Sequence, residues 1–280
     1  MDIAIMQGRL TPPFEGRIQC FPRQRWRDEF ALAALASLDA IEWIYDLHGI
    51  DVNPINDDAG LASVAGLAAE TGVAVRSICA DYFMEMPLIR SSAAEVAERT
   101  GVLAWLLGRC QSLGAHRIVL PFVDASRIES GAELKQVADM LTSMLPAVEA
   151  AGVELHLETS LPPDRFADLL RRVPHPMIKV NYDSGNSASL GYIPRDEFDA
   201  YGDRVGSVHI KDRVLGGGTV PLGTGDADLE GLFDCLAASG YAGDFVLQVA
   251  RGPAGDEVAW ASSNRQYVLA LRATRAEAWT

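Results

Sequence analysis

Apolar residues along this chain gather into short runs rich in Val, Ile and Leu, and between them lie longer stretches with the three-to-four-residue apolar spacing of helices. The strand-like runs begin near Asp2, Ala40, Val73, His116, Val153, Met177, Val205 and Phe245, eight in all. Helical spacing covers roughly 26–37, 59–71, 93–113, 130–151, 164–172, 195–203, 228–238 and 257–275. Gly114, Gly152 and Gly240 each end a helical stretch shortly before a strand, and Asp226 and Asp228 stand where the helix over 228–238 needs a cap. Repeated βα units predict a parallel sheet. Eight in succession, with no glycine-rich fingerprint after an early strand, predict an α/β (β/α)8 TIM barrel, a single domain over 1–280.

Within a buried parallel strand, residues two apart share a face. In the run from Val153 to Glu158, Val153, Leu155 and Leu157 meet the outer helices, so Glu154, His156 and Glu158 point inward. The same alternation sends Lys179, Asn181 and Asp183 inward from the next strand, and Ser207, His209 and Lys211 from the one after. In "FVLQVAR" (245–251) it turns Gln248 inward with Val246 and Ala250. Glu158, Asp183, His209 and Gln248 therefore stand near the C-terminal ends of four consecutive strands, the face on which barrel enzymes carry their sites. Carboxylates and an imidazole without a thiolate suit one divalent metal ion, Mn2+, Mg2+, Co2+ or Zn2+. Lys179 and Glu154, low on their strands, read as a paired charge in the barrel floor, and His156 reads as an interior histidine or an orienter of a ligand.

Composition narrows the class. The 280 residues carry 24 Lys and Arg against 38 Asp and Glu, a net charge of −14, which argues against nucleic-acid binding. Cys20, Cys79, Cys110 and Cys235 lie too far apart for a zinc cluster or a disulfide framework. No signal-like start or membrane-length apolar run stands in the chain, so a cytoplasmic metabolic protein with no membrane partner is expected, and homo-oligomerisation is compatible with this.

The stretches "HLETS" (156–160), "VNYDSGNSASLG" (180–191), "VGSVHIKDR" (205–213) and "VPLGTGDADLEGLF" (220–233) resemble the xylose-isomerase-like TIM barrel superfamily, which includes sugar-phosphate isomerases, ketose 3-epimerases, inosose dehydratases and AP endonucleases. The resemblance implies one divalent metal held by Glu158, Asp183 and His209, with the fourth position, a glutamate in sugar-acting members, falling on Gln248. It also implies that Asn186, Lys211 and Arg213 lie near the substrate. An amide has no acid or base function, so the two-carboxylate epimerisation of the family is put in question at Gln248.

Glu158 is expected to act as the base that takes a proton beside a sugar carbonyl, through an enediolate. His156, Lys211, Asp81 or Glu42 is expected to supply any second proton-transfer group. The segment after the first strand holds Arg9, Arg17, Arg23, Arg25 and Arg27 against Glu15 alone, which reads equally as a clamp for a sugar phosphate or sugar acid, with Arg9 foremost, and as a solvated loop whose arginines pair with nearby acidic helices. Trp26, Trp43, Tyr45, Tyr82 and Phe83 near the first strands' ends read either as a wall for the sugar or as packing, with Trp26 and Arg251 counted among the substrate-binding residues. The resulting expectation is an isomerase or epimerase acting on a small-molecule sugar or sugar phosphate. The alternatives are a lyase of the inosose dehydratase kind and a non-catalytic sugar-binding barrel.

Overall fold

The alternation of runs closes into a parallel barrel in a computed structural model whose described residues are 2–275. Seven strands follow in chain order: β1 (Ile3–Met6), β2 (Ala40–Ile44), β3 (Ala74–Cys79), β4 (Arg117–Phe122), β5 (Glu154–Thr159), β6 (Ile178–Asp183) and β7 (Val205–Ile210). A small antiparallel pair, β8 (Asp212–Arg213) and β9 (Thr219–Val220), comes next, and β10 (Phe245–Leu247) is the eighth barrel strand. Closure is made by β1 on β10, with Ile3 opposite Phe245 and Ile5 opposite Leu247.

Helices α1 (Asp28–Leu35), α2 (Asp58–Thr71), α4 (Ala93–Ser112), α5 (Gly131–Ala151) and α6 (Pro163–Arg172) cover the outside, with a single short turn, α3 (Tyr82–Glu85), after β3. The ring is completed by α7 (Ser184–Leu190), α8 (Pro194–Tyr201), α9 (Leu229–Ala238) and α10 (Glu257–Ala273). Their boundaries follow local chemistry. Ser92 and Glu95 form a reciprocal cap at the start of α4, Ser130 and Glu133 do the same for α5, and Gly72 and Gly152 end α2 and α5 in the left-handed region. The long helices bury apolar stripes; in α4 it is Leu103, Leu106, Leu107 and Cys110, and each such leucine contributes about 1.5–3 kcal/mol on burial.

Two elements depart from the predicted pattern. The stretch after Asp183 is helical as α7, because the Asp183 carboxylate accepts from the Asn186 amide (2.8 Å) and caps a turn whose small residues carry no apolar period. The last strand stops at Leu247, so Gln248 stands just beyond it, with its amide still on the Ile210 carbonyl (3.0 Å). Of the two expected caps, Asp228 accepts from the Gly231 amide (2.8 Å), whereas Asp226 turns to the Leu215 amide (2.6 Å). No helix among the described residues is long and apolar enough to cross a membrane.

The barrel interior is polar from floor to mouth. At the floor Lys179 meets Glu154 (2.8 Å), as expected. Gly206 lies against this pair, and a Cβ there would come within 2.6 Å of the His156 ring and of the Lys179 side chain. Arg117, 1% exposed, donates to Asp244 (2.9 Å) and stands 4.0 Å from Glu42. Losing one member of such a buried set leaves its partners as uncompensated charges. Arg117→Ala is therefore expected to lower unfolding free energy by about 3–5 kcal/mol in urea titration, and a loss below about 1 kcal/mol would show that Arg117 does not neutralise the floor.

Candidate active site

Glu158, Asp183 and His209 come from the ends of three adjacent strands, β5, β6 and β7, where a shared register brings their side chains to one point. Each is buried and offers one ligand atom, and these atoms all lie within 4.8 Å of one another.

His209 is fixed from behind. Its Nε2 meets Glu42 Oε1 on β2 at 2.6 Å, and the other oxygen of Glu42 accepts the Ser77 hydroxyl (2.6 Å). Burial works against ionising Glu42, but the charge and hydrogen bond of His209, with Arg117, hold its carboxyl below the usual range. A carboxylate can only accept, so Nε2 carries a proton, and Nδ1 is the nitrogen that either a second proton or a metal ion can take. Nδ1 points at Glu158 Oε2, 3.3 Å away, and is a buried nitrogen without a hydrogen-bond partner. Burial opposes charging the ring, but the Glu42 charge and the contacts with Glu158 and Glu42 prevail and raise it to about 10. A cation at Nδ1 competes with that proton.

The two carboxylates are positioned by amides. Asn181 donates to Glu158 Oε2 (2.8 Å) and Asn186 to Oε1 (2.7 Å). Burial would raise the Glu158 carboxyl, but His209 and Lys211 bring it below its ordinary value. For Asp183 burial prevails over Lys211, and its carboxyl is raised. Below Glu158 a hydrogen-bonded column descends through Asn181 and Ser207 (2.6 Å) to His156 (2.7 Å from Ser207) and Glu154 (2.8 Å).

A cavity of about 580 Å³ opens above these residues, lined by Glu158, Asn186, Lys211, Arg213 and Gln248 together with Arg9, Gln19, Cys79 and Asp81. The Lys211 ammonium stands 3.0 Å from Gln248 Oε1, 3.2 Å from Asn186 Oδ1 and 3.3 Å from Asp183 Oδ2. Gln248 thus faces the site as its strand pattern indicates. Its Nε2 donates to Gln19 Oε1 (3.0 Å), so both ends of the amide meet protein groups. Arg213 reaches Asn186 Oδ1 (2.8 Å) and the Gly217 carbonyl (2.7 Å from Nη2). The loop beyond it is gathered by Asp212, whose carboxylate accepts from the amides of Gly223, Thr224, Gly225 and Ala227 at 2.9–3.1 Å.

Several expected contributors stand elsewhere. His156 is 1% exposed, one layer below Glu158, and does not line the cavity; burial lowers it to about 4, so it is a neutral interior group. Trp26 packs edge-on against Trp43 (5.7 Å between centroids) in the core, away from the cavity, and Trp43, Tyr45, Tyr82 and Phe83 also pack outside it. Arg251 binds the carbonyls of Gly8, Thr11 and Ile18 (2.6, 2.9 and 3.1 Å) and braces the β1–α1 loop rather than lining the cavity. Arg9 lines the cavity, but its donors are committed to the carbonyls of Val249 (3.0 Å) and Ile18 and to Gln19 (3.0 Å). Arg23 and Arg25 turn outward to Asp51 and Asp28, so the loop arginines do not converge into a clamp. Gln19 was missed by sequence reasoning, because a glutamine in an irregular loop has no periodicity to mark its direction.

The chain and its barrel have relatives among known proteins. L-ribulose-5-phosphate 3-epimerase UlaE of Escherichia coli (strain K12) is 25% identical over 257 residues, which is 89% of this chain and 90% of that protein. Among solved structures, the IOLI protein with a binding zinc atom superposes with a TM-score of 0.77 at 16% identity, covering 96% of this chain and 98% of the other. An L-ribulose 3-epimerase superposes with a TM-score of 0.76 at 19% identity, covering 99% and 96%. A family model described as xylose isomerase-like TIM barrel matches residues 30–270, and with the closed barrel and the Glu–Asp–His cluster at its mouth this chain belongs to that family.

Proposed function

We propose that this protein is a metal-dependent epimerase or isomerase of small ketoses or their phosphates. The observation that carries the reading is the buried Glu158–Asp183–His209 cluster, whose His209 Nδ1 makes no hydrogen bond and faces the Glu158 carboxylate at 3.3 Å, because three converging ligand atoms of this kind fit a cation. Glu158, Asp183 and His209 would hold the ion, with the Gln248 carboxamide oxygen as a fourth donor. Gln248 Oε1 and Asp183 Oδ2 share the Lys211 ammonium, which sets them side by side. The donor set suits Mn2+, Mg2+, Co2+ or Zn2+. Two relatives of similar length are epimerases of L-ribulose 5-phosphate and of L-ribulose, and a cavity of about 580 Å³ is large enough for either kind of sugar.

A divalent ion held by Glu158, Asp183 and His209 would supply Lewis-acid polarisation of the substrate carbonyl. The chain supplies the rest. Glu158, kept ionised and held at both oxygens by Asn181 and Asn186, is oriented to take the proton on the carbon next to that carbonyl. Lys211 and Arg213 bracket Asn186 and present N–H donors to the sugar oxygens. The hairpin of β8 and β9 roofs the cavity through Arg213 and Thr219, and the Asp212 carboxylate fixes its return.

Incubation with L-ribulose 5-phosphate and L-ribulose in deuterated buffer with Mn2+ is expected to give the C3 epimer carrying solvent deuterium at that carbon. A dehydrated product would assign the barrel to a lyase instead. Glu158→Gln should lower this turnover by about 10²–10⁴-fold, the usual contribution of a general base, and retention of more than a tenth of the rate would remove Glu158 from that role. Glu42→Gln leaves the ligands in place but weakens the hydrogen bond that orients His209, so Mn2+ affinity measured by calorimetry is expected to fall about 10–100-fold. Unchanged affinity would mean that the ion does not bind through His209.

A further inference from the structure

Gln248 stands where a second carboxylate would serve inversion, and an amide cannot move a proton. Asp81 follows the end of β3, two strands from the β5 that carries Glu158, lines the same cavity as Glu158 and Lys211, and is joined to Gln248 through the Gln19 amide. We propose that Asp81 is the second proton-transfer carboxylate of this site, serving the face of the substrate opposite Glu158. The inference rests on the epimerase reading above.

Four features of Asp81 support it. It occupies the N-cap position of α3 yet makes no capping hydrogen bond, so its side chain has left the local task that aspartate performs there. Instead the carboxylate turns to the cavity, where Gln19 Nε2 donates to Oδ2 (2.7 Å) and the Cys79 thiol to Oδ1 (3.2 Å). Gln19 can present only its NH2 to Asp81, because its own oxygen already accepts from Arg9 (3.0 Å) and from Gln248 (3.0 Å). Gln248 and Asp81 are therefore the two ends of one amide bridge. No ion pair ties Asp81 to a cation among the described residues. Burial, the largest influence, raises its carboxyl to about 6, a value suited to both giving and taking a proton near neutrality.

The step balances without any further reactant. Glu158 takes the C3 proton, the electron pair of that C–H bond forms the C2–C3 double bond, and the carbonyl oxygen becomes the enediolate oxygen. The O–H bond of a protonated Asp81 then breaks, its proton joins C3 from the other face, and the carbonyl re-forms. Glu158 is left protonated and Asp81 ionised, and both reset by exchange with solvent. The reverse epimer uses the two carboxyls in exchanged roles.

The test uses the Mn2+-loaded full chain and L-ribulose 5-phosphate in D2O, with inversion and C3 deuteration of the remaining substrate followed separately by NMR. Asp81→Asn is expected to slow inversion about 10²–10⁴-fold while Glu158-dependent deuteration of L-ribulose 5-phosphate stays within about tenfold and Mn2+ affinity is unchanged. Adding Gln248→Glu to that variant should return at least about tenfold of the lost inversion, since a carboxylate at the other end of the bridge meets the same face. Asp81→Ser repeats the measurement should the Asn variant fail to fold. Inversion within about threefold of the parent overturns the proposal, and so does a parallel fall of inversion and deuteration, which would make Asp81 a positioning residue. A parent enzyme that neither inverts nor deuterates the sugar overturns the epimerase reading itself, and this inference with it.

Discussion

Everything at the mouth of this barrel depends on an unequal gathering of buried charge. Glu42, Glu158 and Asp183 are almost fully desolvated, and the positive groups that touch them are His209 and Lys211, with Arg117 at the margin of Glu42. A carboxylate taken out of water without compensation costs many kcal/mol, so such a cluster persists only if charge or hydrogen bonds answer it. The fold answers with directed donors. Ser77 reaches Glu42, Asn181 and Asn186 reach Glu158, and the Asn186 amide reaches Asp183. What these donors leave is a set of carboxylate oxygens gathered about one imidazole nitrogen that makes no hydrogen bond, an arrangement that fits a cation.

The rest of the interior keeps those atoms in place. Two polar columns rise from the floor. One runs from Lys179 and Glu154 through His156, Ser207 and Asn181 to Glu158; the other runs from Asp244 through Arg117 and Glu42 to His209. Each link is a buried hydrogen bond or a close ion pair whose loss would orphan its neighbour, so the columns resist rotation of the two residues they end on. The loop from Gly8 to Cys20 is held by Arg9 and Arg251, which is why arginines that look like a substrate clamp in the sequence work as braces. Their guanidinium groups satisfy carbonyls that an irregular segment would otherwise leave unpaired.

Strand periodicity made the centre of the site legible. Alternation alone placed Glu158, Asp183, His209 and Gln248 on one axis, because a closed parallel barrel leaves a strand residue only two directions, toward the axis or toward the helices. It also placed the Lys179–Glu154 pair at the floor. Periodicity does not report depth, and so His156, on the same inward face as Glu158, falls one layer too low for the cavity. Outside the strands no such rule applies. Residue type and position near the strand ends point Trp26 and Arg251 toward a substrate, yet Trp26 is taken up by packing and Arg251 by loop carbonyls. Gln19, which lies over the site, carried no signal at all in an irregular segment, and α7 was hidden because its small residues give no apolar stripe.

The amide at 248 has a physical consequence beyond the loss of a base. A glutamate there would add a fourth carboxylate to a mouth that already brings Glu42, Glu158 and Asp183 against His209 and Lys211, and it would draw Lys211 toward itself as a salt bridge. As a carboxamide it accepts from Lys211 with its oxygen and donates to Gln19 with its nitrogen, which a carboxylate cannot do. That donation occupies the Gln19 oxygen and leaves the Gln19 NH2 for Asp81. The charge removed at one end of this amide bridge is thus matched by a carboxyl kept at its other end, where burial rather than an ion pair sets its proton affinity. An amide at this position is coherent with a site whose acid–base groups are Glu158 and Asp81, and it makes Gln19 the residue through which the two sides of the cavity are coupled.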